Sequence, residues 1–268
     1  SSGGWLAFAR AETGEFAEAH TVAGKALQAA EDAGNAYARA IAGTLAGLCW
    51  MRQGHADRAL PLLEQAFELC RERRLILWQP IPSSLLGLGY ALSDKLEVGL
   101  GLLHEAVAET HTLGINVYRS LWEAHLAEGL LVAGQWLRAI DVARSAIDLS
   151  ATYKEAGHHA RALMLLGGAY VCAGHDADRA EEPLVQALAE AEELRMRPLV
   201  AHCYLSLSRL AAARGQREKQ AEYIATARTT VTALGMRFWW KLTTPDVETA
   251  PGRLRAAPET ELPKSVAD

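Results

Sequence analysis

Turn-forming residue pairs recur along this chain at Thr13-Gly14, Gln53-Gly54, Ser93-Asp94, Ala133-Gly134, Ala173-Gly174 and Arg214-Gly215, spaced 40 residues apart four times and then 41. A period of this length belongs to a stacked supersecondary unit, in which no unit buries its apolar face alone and each is completed by its neighbours. Five residues after each turn, or six in the fifth unit, stand Ala19, Ala59, Gly99, Ala139, Ala180 and Gln220. Seven residues further on come Ala26, Ala66, Ala106, Ala146, Ala187 and Ala227 without exception. The chain has 50 alanines in 268 residues, so six matches out of six arise by chance on the order of once in ten thousand. Small residues also stand seven before each turn, at Ala7, Gly47, Gly87, Ala127, Gly167 and Ser208. Seven residues are two helical turns, so each unit sets a column of small residues on one helix against a column on the next, and the two backbones approach closely.

The spacing predicts an all-α, right-handed solenoid of six helix pairs, over 3–34, 36–75, 82–113, 116–156, 158–195 and 198–234, filling residues 1–240. Gly34, Gly114 and Gly235 fall where second helices should stop, and Pro198 suits a first helical turn. The segment "WQPIPSS" (78–84) reads as the longest internal loop. The aromatics of "MRFWW" (236–240) are placed to cap the last pair. Residues 241–268, with Pro, Thr and Glu and no aromatic, read as a disordered tail. The first residues, Ser-Ser-Gly-Gly-Trp, carry neither a basic stretch nor an initiating Met. They read as a fragment boundary inside the first helix of a pair, in an array that begins earlier.

Composition removes several functions. Lys plus Arg total 27 against 32 Asp plus Glu, a formal charge of −5, which gives no global attraction to nucleic acid or to an anionic membrane. The longest nearly uncharged apolar stretch, 162–174, is shorter than the roughly 18 to 20 residues that span a bilayer. Cys49, Cys70, Cys172 and Cys203 are far apart, form no metal-binding spacing and suit core positions in a reducing cytoplasm. Gly24-Lys25 is followed by Ala26 and so is no phosphate loop, while His104-Glu105 lacks the second histidine of a zinc-protease helix, Ala108 standing there. No Gly-x-Ser-x-Gly occurs. The chain is therefore read as non-catalytic, with no cofactor and no metal. The alternative is a metal-dependent enzyme with a site between helices built from His125, Glu128, His158 or His159.

"LLGLGYALSD" (85–94) and "LLGGAYVCAG" (165–174) resemble the Leu-Gly-x-x-Tyr core of the tetratricopeptide repeat, TPR, whose second helix carries two alanines seven apart. The units here are longer than the usual 34 residues and lack the proline that often closes the second helix. The segment 196–240, with "RPLVAHC" and "MRFW", resembles the last repeat of bacterial signalling proteins in which a class III adenylyl or guanylyl cyclase domain and an AAA-type ATPase module precede a C-terminal TPR array. The resemblance implies a cytoplasmic signal-transduction module that senses or scaffolds and regulates an attached or partner domain. It transfers no catalytic residue, because neither the cyclase aspartates nor a phosphate loop is present.

In such a solenoid the first helices line the concave face, and helical spacing puts Phe8, Thr44, Leu48, Arg52, Ser84, Leu88, Glu128, Arg161, Met164, His202 and Arg209 on it. Arg52, Arg161 and Arg209 beside apolar residues suit an acidic or amphipathic protein segment, or a small effector. Asparagine stands only at Asn35 and Asn116, so the Asn and Lys clamp that grips a peptide carboxylate is not expected. The unfinished ends of a solenoid and the Trp78 loop also offer surfaces for a self-associating scaffold.

Overall fold

The computed structural model describes residues 2–93, 95–174 and 177–236. Among the described residues the chain forms helices throughout, in six pairs. These are α1 (Ser2–Glu12) with α2 (Phe16–Asp32), α3 (Ala36–Gln53) with α4 (Ala56–Glu72), and α5 (Pro80–Ala91) with α6 (Leu96–Thr112). They continue with α7 (Arg119–Val132) and α8 (Trp136–Tyr153), α9 (Ala156–Ala173) and α10 (Ala177–Glu193), and α11 (Arg197–Ala213) and α12 (Arg217–Ala233). Successive first helices pack on one another, and each second helix but the last lies against the two first helices that flank it. The first helices thus make an inner layer and the second helices an outer one. Burial follows: α3 is buried almost continuously from Ala40 to Arg52, whereas α4 buries only Ala56, Ala59, Leu63, Ala66 and Cys70 along one stripe.

The columns of small residues face each other within each pair. A Cβ on Gly99 would lie 2.4 Å from the Ala91 amide nitrogen and 2.5 Å from the Gly87 carbonyl oxygen. One on Gly167 would lie 3.0 Å from the Ala180 carbonyl. Backbones this close leave no room for a side chain, which is why positions seven before the turn and five after it are small.

Each second helix ends on a left-handed residue in the same register: Gly34, Arg74, Gly114, Lys154, Arg195 and Gly235, with φ between +53° and +65°. A side chain there costs roughly 1–2 kcal/mol. A cation facing the helix C-terminus returns about 0.3–1 kcal/mol, and each of the three exceptions is an arginine or a lysine. The "WQPIPSS" expectation is corrected here, since the break is 73–79 and helix α5 already begins at Pro80. Pro80 and Pro82 occupy the first turn, where amide hydrogens have no intrahelical acceptor to lose. The expected aromatic cap (237–240) and the tail (241–268) lie outside the described residues.

One circuit of the solenoid brings its two ends together. Arg197 donates from Nε to the Thr13 carbonyl at 3.0 Å and from Nη2 to that of Gly14 at 3.4 Å, while Gln53 Nε2 reaches the Leu234 carbonyl at 3.4 Å. Leu234 and Pro198 sit against Gly14, and α1 touches α11.

Gly99→Ala should therefore lower stability by about 1–3 kcal/mol through overpacking. Gly101→Ala in the same helix, with open space around its Cβ, should raise it by roughly 0.5–1 kcal/mol. Urea denaturation midpoints of the two variants check both signs.

Candidate functional site

The first helices do line the axis, but their side chains meet there instead of bordering an open groove. Of the eleven expected lining residues, Thr44, Leu48, Arg52, Ser84, Leu88, Glu128, Arg161, Met164 and His202 are buried, and Phe8 and Arg209 are half-buried. The reason is curvature, since helices half a circuit apart come within side-chain reach. Trp5 of α1 stacks on Tyr118, just before α7, with ring centres 5.4 Å apart, and meets Trp78 edge-on at 6.2 Å. The structure fills the space that an extended peptide would need.

At the heart of this interior lies an ion triad. Glu12, the last residue of α1, accepts from Arg52 Nε of α3 at 2.6 Å through Oε1, and from Arg161 Nη2 of α9 at 3.2 Å through Oε2. The arginine side chains are 3% and 4% exposed, Glu12 14%. Burial pushes the Glu12 carboxyl up, but the attraction of Arg52 and Arg161 outweighs it and holds the group at about 2. Burial, and then the like charge of Arg52, lower Arg161 from its ordinary value against the pull of Glu12 and Glu128.

Around the triad lie His125, Glu128 and His202. Burial drives His125 well below the ordinary histidine value, helped by Arg52 and Arg161, so the ring is neutral. Its Nδ1 is 2.9 Å from the Ser84 hydroxyl. His202 is pushed down to about 3 by burial and then by Arg161, Arg52 and Arg209. Burial raises Glu128 above its ordinary value despite Arg161 and Arg52. Three buried atoms here have no hydrogen-bond partner: Arg52 Nη2, His125 Nε2 and Glu128 Oε2. Such groups, left dry, are destabilising, and a polar guest that satisfied them would bind favourably.

The histidines of the metal alternative are not brought together. His158 engages Ser120 at 3.0 Å and Glu155 at 3.3 Å, while His159 Nδ1 meets Glu190 at 2.8 Å and His125 meets Ser84. Among the described residues no three His, Cys, Asp or Glu side chains form a group able to hold a metal ion. Burial pushes the thiols of Cys49 and Cys203 up to about 12 and that of Cys70 to about 11, as befits core cysteines. No described helix is long and apolar enough to cross a membrane.

Glu12 was missed by the spacing argument, which follows positions upstream of the turn by their size. A signal was present, because a carboxylate in the last turn of a helix opposes the dipole and needs a cation elsewhere.

No family model and no curated protein matches this sequence. Solved structures do. RapI in its apo form has a TM-score of 0.65 at 12% identity, over 87% of this chain and 85% of RapI. BtubC from P. vanneervenii has 0.58 at 17% identity, over 92% of this chain and 97% of BtubC. A Signal Transduction ATPase with Numerous Domains from Pyrococcus horikoshii, described as having a tetratricopeptide repeat sensor, has 0.52 at 16% identity, over 86% of this chain and 36% of that protein. The fold is a TPR-like all-α solenoid. At these identities the likeness is one of fold alone.

Breaking the triad should be costly. Glu12→Gln removes the anion that two buried guanidiniums share and should lose about 3–5 kcal/mol at neutral pH. The pH dependence separates the parts. Neutral His125 and His202 stabilise the fold fully above their ordinary value of 6.5 and less as pH falls below it. Glu12, at about 2 in the fold against an ordinary 4.5, loses its contribution as pH falls from 4.5 through 2. Urea midpoints of Glu12→Gln should keep the decline that begins near pH 6.5 and lack the steeper one below 4.5 that the parent chain shows.

Proposed function

We propose that this chain is a non-catalytic interaction and sensor module that regulates an attached or partner signalling domain. The observation that carries the reading is the Glu12 link, which ties the first repeat to the fifth across the axis. A sensor needs an element with two arrangements of similar free energy. A buried triad of two cations and one anion, ringed by three unsatisfied polar atoms, provides one, because its net worth is the small remainder of a large attraction and a large desolvation penalty. Two states follow, one closed with Glu12 seated and one in which the ends part. The filled axis favours a small effector, or a protein segment bound on the opened form, over a peptide lying in a ready groove.

The cyclase or ATPase type of output rests on the resemblance of residues 196–240 to arrays that follow such domains. The Pyrococcus horikoshii protein, whose described TPR sensor belongs to an ATPase, supports the same arrangement.

Immunoblotting of the source cells with an antibody raised against residues 2–236 should show a polypeptide well above the 29.0 kDa of this chain. In that polypeptide, Glu12→Gln should change the activity of the output domain by about threefold or more with helicity retained. An output indifferent to Glu12→Gln in a folded protein overturns the sensor reading.

A further inference from the structure

Arg52 and Arg161 come from the second and fifth repeats, are almost wholly buried, and share a single carboxylate. Arg52 spends Nε on Glu12 and leaves Nη2 with nothing to accept from it, and the Nε2 of His125 is likewise unanswered. Glu128, whose carboxyl lies above its ordinary value, also has an oxygen unpaired. The one anion seated on both guanidiniums is the most solvent-exposed member of the triad. It is carried by α1, which packs on α2 and α3 and only grazes α11.

We propose that the Arg52–Arg161 pair is a binding site for a small carboxylate anion, which Glu12 occupies in the closed form as an internal stand-in. The ligand exchanges one carboxylate for another on the same two forks, so the charge and hydrogen bonding of the interior are kept while Glu12 returns to water. No bond is made or broken. The free Nη2 of Arg52 favours a ligand with a further oxygen acceptor. The exchange removes the only ion pair joining α1 to α9 among the described residues, and α1 is released. Glu12 competes at the high effective concentration of a tethered group, so the resident carboxylate must be removed to expose the site to a weak probe.

The release step rests on the sensor reading, whereas occupancy of the arginine pair stands apart from it. The test is chemical rescue of Glu12→Ala with acetate, using chloride at the same molarity as control. The thermal midpoint of this variant should fall, and acetate should restore roughly half or more of the loss while chloride does not. Acetate should have no such effect on Glu12→Ala combined with Arg52→Gln. If Glu12→Ala is unfolded in chloride, return of the helical circular dichroism on adding acetate is the same readout. Equal behaviour in acetate and chloride overturns the site.

Hydrogen exchange then tests release. With acetate bound, amides of residues 2–12 should exchange about tenfold faster than in the parent chain, while those of α9 keep their protection. Recovery of full protection in α1 overturns the release step and leaves the anion site in place. Rescue by acetate in a protein whose output ignores Glu12→Gln separates a true site from a failed sensor reading.

Discussion

The closeness of paired helices sets everything else in this molecule. Where Gly87 meets Gly99, two backbones touch without an intervening side chain, and Gly47 gives its place to the Leu63 side chain and the Ala59 carbonyl. Each pair becomes a thin wedge, with small residues at the seam and bulk on the inner helix. Wedges repeated six times curve hard enough for the last to reach the first, and the contacts of Arg197 with Thr13 and Gly14 are where they meet. The buried axis, the aromatic stack of Trp5 on Tyr118 and the triad on Glu12 all follow from that curvature.

The interior formed in this way is unlike an ordinary apolar core. Leu48, Leu88 and Met164 provide hydrophobic burial, yet Arg52, Glu128, Arg161, His125 and His202 are enclosed beside them. Two buried arginines are tolerable only while an anion faces them, and neutral histidines are tolerable only while the surroundings keep protons off. The closed form therefore depends on one carboxylate at the end of the first helix. The arrangement is more suited to being switched than to adding stability, since hydrophobic residues of the same size would hold the ends together without the desolvation penalty.

Much of the fold was legible because its cause is local. The small residues seven before each turn and, in five of the six repeats, just after it are a property of one repeat, and the copies make the pattern visible without any tertiary knowledge. Three of the six left-handed ends of second helices were hidden, because Arg74, Lys154 and Arg195 do not look like glycine, although their positions follow the repeat count. The start of α5 was hidden by Pro80 and Pro82, which break a helix in its middle but not in its first turn. The expected lining residues stand on the inner helices, and their enclosure was not foreseen, since curvature accumulates over the whole array and no single unit encodes it. Glu12 escaped for the same reason, its partners lying one and four repeats away.

Closure also alters how the array is expected to come apart. In an open stack each internal repeat has two neighbours and each end repeat one, so loss of structure starts at an end and travels inward. Here the first repeat touches the last through Arg197, and Gln53 of the second repeat reaches the last as well. Among the described residues the row of six becomes a loop, in which the first and sixth repeats cannot fray until the seam between them has parted. A single event at one seam then governs the whole ring.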